Sequence, residues 1–324
     1  MSSEQDTERD LIVDTDTLGI NDDALALHYL FALPRVPRLI TTVFGNTTAA
    51  ISTGHARTLT RDHLLDVDVD VDVVRGCEKP LWWHTPVREE VRGIVSALPA
   101  HTYLASLRPD NDGFWDADVA DGSAPDVLAA ALTRSEGSDV LGIGPLTNIA
   151  RALRALGSSG VARHRLWIAG GSIRSGNVTE RAEFNAFADP EALQECLSAG
   201  WEAVVMVPLE VLQAPRLRPV VVERIRRTGT PLGAALDKLE RESPRGESTD
   251  REPIWDVVAA LIMADGAMPY EAEAGTICVD TDPVNRGAIR FEPGPGTHRR
   301  VTDIDPDTLV SRFEAAVSRP RRSP

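Results

Sequence analysis

Lysine is almost absent from this 324-residue chain: Lys79 and Lys238 stand among 34 Lys+Arg, and the other basic residues are arginines. Acidic residues number 49, which leaves a formal net charge of −15 at pH 7. A balance of that sign excludes nucleic acid as a partner, because phosphate backbones are held by basic surfaces. Cysteine is scarce as well. Cys77, Cys196 and Cys278 are far apart, odd in number and without metal-ligand spacing, so they read as reduced thiols of a cytoplasmic protein. Aromatic residues make up only 5% of the chain, so the pair Trp82-Trp83 and the separate Trp115 and Trp255 stand out. No apolar run approaches the roughly 18–20 residues of a membrane span. The opening MSSEQDTERD is polar and acidic, which is not the pattern of a secretory leader.

What is present describes a globular chain, with 42% hydrophobic residues and enough length for one large α/β domain or two small ones. Strand-like runs at 11–13, 38–44, 139–143, 165–169 and 203–207 alternate with helical periodicity. Helices are expected from Asp22 onward, over 47–59, 87–98, 125–132, up to 156, 189–199, 216–241 with a break at Thr230-Pro231, 255–264 and 306–317. This alternation predicts a single α/β domain with an open, mostly parallel central sheet flanked by helices. A small β-containing extension is expected within 276–301. The domain is expected over 11–318, between disordered polar ends at 1–10 and 319–324. Residues 64–74, LLDVDVDVDVV, alternate perfectly and predict a strand with one acidic, solvated face. Between 75 and 125 the periodicity weakens, and long stretches of that kind are usually lids or binding loops.

The stretch with chemistry in it is LIVDTDTLGINDDALAL, residues 11–27. An apolar run is followed by Asp14 and Asp16 at strand spacing, then by a glycine-containing turn, then by Asp22 and Asp23 at a helix start. Four carboxylates thus meet at the C-terminal end of a strand, where open α/β sheets place their ligands. Two of them lie at a helix N-terminus, where backbone N–H groups favour anions. Acids packed so closely repel one another unless a cation lies between them, and an all-oxygen set suits a hard cation. A pair of aspartates at a helix start is also an ordinary capping arrangement. The residues alone leave both readings open.

Read with four later stretches, this one resembles the calcium-dependent nucleoside hydrolases, the nucleoside N-ribohydrolases. The opening pattern DxDxG…DDA is present as Asp14-Thr15-Asp16 and Asp22-Asp23-Ala24. TTVFGNTT contains Asn46, and GPLTN is Gly144-Pro145-Leu146-Thr147-Asn148. GNVTERAEFNAFADPEA contains Asn177, Glu183 and Asn185, and Trp255-Asp256 matches a late pair at a helix start. Taken singly, Asn177 and Asn185 are ordinary turn residues; their spacing around Glu183 gives the match its specificity. The resemblance implies hydrolysis of the N-glycosidic bond of ribonucleosides to free base and ribose, as in purine salvage and nucleoside catabolism. It implies a Ca2+ ion held by Asp16, Asp23, Asp256 and the main-chain carbonyl of Ile143, with Asp16 as general base toward the attacking water. Asp22, Asn46, Asn177, Glu183, Asn185 and Asp256 are implied as ribose contacts, and Asp14 as a supporting acid. A homodimer or homotetramer is the implied assembly.

Several positions depart from that pattern. Five residues, TLGIN, separate Asp16 from Asp22, where many members have three. The HG-rich loop is replaced by RPDNDGFWDAD, MGG by Ala169-Gly170-Gly171, and LDVT by Leu209-Glu210-Val211-Leu212. Trp255 stands where the inosine–uridine branch carries a histidine taken as leaving-group acid. The purine-specific branch has tryptophan there and stacks the base between that indole and a second one. Trp83 is the expected second half, with Trp82 and Trp115 as the other candidates. Three rival readings remain: a pyrimidine or modified-nucleoside hydrolase of the same family, a non-catalytic nucleoside-binding protein, and a haloacid-dehalogenase-like phosphatase. In the last, Asp14 would be the nucleophile and Asp16 the acid/base, but neither Lys79 nor Lys238 has the context of the lysine that class needs.

Overall fold

Leu11, Ile12 and Val13 are each no more than 2% exposed, as expected of an interior strand covered on both faces. The computed structural model describes residues 9–64, 70–84, 88–97, 121–157, 160–242 and 254–319. Within these the apolar runs form a sheet of β1 (Asp10–Thr15), β2 (Leu39–Thr42), β3 (Asp72–Arg75), β4 (Ser138–Gly142), β5 (Arg165–Ala169), β6 (Ala203–Val207), β7 (Tyr270–Val279), β8 (Ile289–Pro293) and β9 (His298–Ile304). Their spatial order is β3-β2-β1-β4-β5-β6-β9-β7-β8. The pairs from β3 to β9 are parallel, and β7 runs antiparallel to both β9 and β8.

The helices are α1 (Asp22–Phe31), α2 (Ala49–Leu64), α3 (Arg88–Ala97), α4 (Ala124–Arg134), α5 (Thr147–Leu156), α6 (Phe184–Ala188), α7 (Pro190–Ser198), α8 (Leu209–Leu212), α9 (Pro219–Arg226), α10 (Pro231–Glu242), α11 (Trp255–Ala264) and α12 (Pro306–Val317). None of the described helices is long and apolar enough to cross a membrane.

Side chains alternate across each strand, and this sorts the core into two layers. Leu11, Val13 and Leu141 face the layer that holds Leu27, Leu30, Val257 and Phe313. Ile12, Val140 and Leu166 face the layer of Leu128, Ile149 and Leu193. Helix α11 (WDVVAALIMA) is apolar around its circumference, and Val257 through Leu261 are fully buried; a helix of that composition belongs inside. It packs on α1. A third, smaller cluster joins Val43, Phe44, Trp82, Phe184 and Phe187.

Strand order reverses direction between β1 and β4, and a sheet of this kind opens a crevice at such a switch point. The register pairs Asp14 with Gly142, and the Ile143 amide donates to the Asp14 carbonyl at 2.9 Å. The end of the acid-bearing strand is thereby fixed beside the start of GPLTN.

Three expectations need revision. Among the described residues the alternating acidic run yields a short edge strand, Asp72–Arg75, while α2 runs on to Leu64; alternation specifies a face, not a length. Residues 65–69 lie outside the described residues. The C-terminal β extension begins at Tyr270, six positions before 276, because its first residues (YEAEA) are exposed or half-buried and have no apolar signal. It also continues the main sheet through β6 and β9 rather than standing apart. Helix α6, ahead of Asp189, was not expected. Of the polar ends expected at 1–10 and 319–324, residues 1–8 and 320–324 lie outside the described residues, whereas Asp10 already belongs to β1.

Candidate active site

β1 ends at Thr15, so Asp16 lies just past the last strand pair, and the chain then turns through TLGIN into α1. Gly19 has φ +63, a conformation that glycine adopts without strain. Asn21 caps α1, accepting from the Ala24 amide at 3.1 Å, and its Nδ2 donates to Asp23 Oδ2 at 2.9 Å. Asp23, 1% exposed, is tightly held. Its Oδ1 accepts from Thr15 Oγ1 at 2.5 Å and from the Asp16 amide at 3.2 Å, and its Oδ2 also accepts from Asn46 Nδ2 at 3.2 Å. Asp16, also 1% exposed, accepts through Oδ2 from the Asn46 amide at 2.6 Å. The preceding residue must be glycine: a Cβ on Gly45 would lie 1.9 Å from Asp16 Oδ2.

Helix α11 brings in Asp256, 5% exposed, from its own first turn. Because α1 and α11 pack together, their N-termini present Asp22, Asp23 and Asp256 to one another, with one carboxylate oxygen from each lying within 4.8 Å of the others. Asp16 stands outside this trio and reaches it by a carboxyl contact with Asp23. Burial raises Asp16 and Asp256 well above the usual carboxylate range, and the charges of their acidic neighbours push the same way. Asp22 is pushed up to about 7 by burial and the charge of Asp23. Asp14, fully buried, is pushed up to about 7 by burial against the pull of hydrogen bonds from Thr41 Oγ1 (2.6 Å) and Asn148 Nδ2 (2.8 Å).

On the far side Glu183 caps α6. It accepts from the amides of Asn185, Gly171 and Ala186 at 2.9, 2.7 and 3.2 Å, and a Cβ on Gly170 would lie 2.6 Å from Glu183 Oε2. Asn185 Nδ2 donates to the carbonyls of Ile143 (3.1 Å) and Ala169 (3.2 Å), tying the ends of β4 and β5. The cavity between these elements has a volume of about 320 Å³. Asp16, Asp22, Asp23, Asn46, Ile143, Glu183, Asn185, Trp255 and Asp256 all line it, and Ile20, Leu209, Leu212 and Ile254 add apolar wall. No lysine, arginine or histidine lines it among the described residues. Two buried carboxylates and a half-buried third close to one another, a carbonyl at the same wall and no basic side chain lining it among the described residues are a donor set for a hard cation.

Residues 11–311 match the sequence pattern of the inosine-uridine preferring nucleoside hydrolases. The chain belongs to that family. The non-specific ribonucleoside hydrolase RihC of Salmonella agona is 33% identical over 240 residues, covering 72% of this chain and 73% of RihC. The pyrimidine-specific ribonucleoside hydrolase RihA of Salmonella typhimurium is 29% identical over 225 residues, covering 68% of this chain and 67% of RihA. Among solved structures, the purine-preferring ribonucleoside hydrolase from Gardnerella vaginalis superposes with a TM-score of 0.71 at 21% identity, over 96% of this chain and 98% of that one. The last likeness is one of fold.

In this nucleoside hydrolase the candidate residues do not all reach the cavity. Asn177 is half-buried and does not line it; both side-chain amide atoms are buried without a hydrogen-bond partner among the described residues. Trp82 is a core residue instead of a cavity residue, 1% exposed with Nε1 donating to the Ala188 carbonyl at 2.8 Å. The side chain of Trp83 and the whole of Trp115 lie outside the described residues. Asp14 is fully buried and does not line the cavity. Reading motifs alone missed the residues that hold the acids: Thr15, Asn21, Thr41, Gly45 and Asn148. Asn148 had a signal, its place in GPLTN, but no assigned partner. Glu210 is a further case, since its Oε1 accepts from Ser172 Oγ (3.2 Å), from the Ile173 amide (2.8 Å) and from the Arg174 amide, pinning the loop that leads to Asn177.

Proposed function

We propose that this protein hydrolyses the N-glycosidic bond of purine ribonucleosides, releasing free base and ribose, with a bound Ca2+ ion as cofactor. The observation that carries the reading is the placement of Trp255 and Asp256. They are consecutive in the first turn of α11, and both line the cavity. A flat apolar ring and the acid cluster are therefore held one residue apart, the relation a nucleoside requires between its base and C1′.

Asp16, Asp23, Asp256 and the Ile143 carbonyl are the proposed ligands, and the position of Asp22 in the close trio makes it a further candidate. When bound, such an ion neutralises the acids and makes a water more acidic. Asp16 accepts the proton of the attacking water. The water oxygen bonds to C1′ while the C1′–N bond breaks, and the electron pair leaves with the base. Asp22, Asn46, Glu183, Asn185 and Asp256 hold the ribose hydroxyls. Asn177, which does not line the cavity, is proposed as a ribose contact on its place in the GN…AEFN pattern alone. Trp255 stacks on the departing base, and Trp83 is proposed as the opposing ring. Asp14 supports the cluster. A cytoplasmic homodimer or homotetramer serving purine salvage is the proposed setting.

The test is incubation with inosine, uridine and a phosphate monoester, with and without a calcium chelator. Chelator-sensitive release of ribose from inosine supports the reading, and release of phosphate instead overturns it. Binding without turnover of either nucleoside would favour a binding role. Trp255→Ala is expected to lower kcat/KM for inosine by about 10–100-fold, the scale of one base–aromatic stack. A p-nitrophenyl riboside, whose leaving group needs no assistance, should lose much less. Equal losses on the two substrates would contradict base stacking.

A further inference from the structure

Thr147 and Asn148 end the GPLTN stretch and begin α5, yet their side chains serve different partners. Asn148 Nδ2 donates to Asp14 Oδ1, and its Oδ1 accepts from the Cys77 amide at 2.8 Å. Thr147 Oγ1 donates to Asp189 Oδ2 at 2.6 Å. That same oxygen accepts from the Leu81 amide at 2.8 Å, and Asp189 Oδ1 accepts from the Ala192 amide at 3.2 Å. One fully buried carboxylate thereby sets the mutual distances of three elements: α5, the 3₁₀ turn Leu81–His84, and α7. The turn has a second anchor. The Trp82 ring lies under the Arg286 guanidinium, 5.2 Å from its centroid, and Nε1 donates to the carbonyl of Ala188, the last residue of α6. Arg286, 2% exposed, gives both Nη groups to Glu191 at 2.8 and 2.7 Å.

Buried charges of this kind contribute little net stability compared with apolar packing, because desolvation offsets their attraction; fixing one arrangement is their best-attested use. The arrangement fixed here leads to the cavity. The five-residue helix α6 carries Phe184 and Asn185, both cavity-lining, at one end, and at the other end Ala188, followed by Asp189, which hold the turn.

We propose that Thr147, Asp189, Trp82 and Arg286 are positioning residues for the wall of the cavity that α6 supplies through Phe184 and Asn185. They register the turn Leu81–His84 against the C-terminal end of α6. This rests on the nucleoside-hydrolase reading above, and it assigns a role to parts of GPLTN and DPEA that the chemistry at C1′ does not use.

The test compares Thr147→Val, which keeps the shape and loses the hydroxyl, with Thr147→Ser, which keeps the hydroxyl. The readouts are kcat and KM for inosine, the Kd of a C-nucleoside whose base cannot leave, and Tm. Thr147→Val is expected to raise KM and Kd by about three- to tenfold, the scale of one hydrogen bond, with kcat within about twofold. Thr147→Ser should restore both constants. Trp82→Phe, which retains a ring but loses the bond to Ala188, should shift them in the same direction. A fall in Tm with KM and Kd unchanged would mean a structural role only and overturn the inference, as would a fall in kcat alone. If the protein binds the C-nucleoside but does not hydrolyse inosine, the hydrolase reading fails while Kd still decides the positioning role. Failure to do either overturns both.

Discussion

Asp16→Ala is expected to lower kcat for inosine by about 10³-fold while leaving the fold intact, the scale of removing a positioned general base. The geometry around Asp16 argues for both halves of that expectation. Its carboxylate is aimed by the Asn46 amide and by contact with Asp23, and the glycine at 45 leaves room for nothing larger beside it. It makes no packing contribution that alanine would forfeit on the scale of a core leucine. In the metal-free protein its removal takes one acid out of a buried, mutually repelling set, so Tm should hold or rise. A site that is strained without its ligand is the usual trade between stability and activity. Kinetics with circular dichroism and a melting curve check both halves; more than a tenth of wild-type turnover would remove Asp16 from the role of base.

Chelation is the second large effect, and its pH dependence has a definite sign. In the metal-free protein Asp14 and Asp22 are raised to about 7, Asp14 by burial and Asp22 by burial and then the charge of Asp23. Unfolding returns them to the ordinary carboxylate value of about 4. Between these values the folded state holds more protons than the unfolded state, so the contribution of these two groups to metal-free stability is greatest below about pH 4 and is lost as pH rises through about 7. In the proposed calcium-bound state the ion takes the place of the Asp22 proton and binds more tightly as the acids ionise. Saturating calcium at 100 times its Kd is expected to raise Tm by roughly 4 °C, and the gap between calcium-loaded and chelated protein should widen from pH 5 to pH 8. Nucleoside hydrolysis should be lost on chelation throughout. Melting curves that coincide with and without calcium across this range would exclude a bound cation at the acid cluster.

Much of the fold was legible because its signals are local. Leu11–Val13, the apolar β5 and β6, and the Asp189-Pro190 start of α7 are patterns of neighbouring residues, and their alternation implies a parallel sheet. Where the pattern weakened, the reading weakened: the exposed first half of β7 has no apolar period, and α6 has only five residues. The acid cluster was legible in part. Asp14, Asp16, Asp22 and Asp23 lie within ten residues, so their meeting follows from one strand, one turn and one helix. Asp256 joins them from more than 230 positions away, and only its motif hinted at that. Trp82 and Trp83 are adjacent and identical in type, so no sequence signal shows that the first is buried under Arg286.

By itself the sequence determined the class of fold, the identity of the acids and the family, because periodicity, capping and motif spacing are properties of short segments. The tertiary structure alone decided how those acids are arranged. Packing α1 on α11 puts Asp22, Asp23 and Asp256 into one close trio with Asp16 at its edge, and the Asp14–Gly142 register brings Ile143 to the same wall. It likewise decided that Thr147 and Asn148, neighbours in one motif, hold different parts of the site. These relations depend on which faces pack together, and that is settled only when the whole core closes.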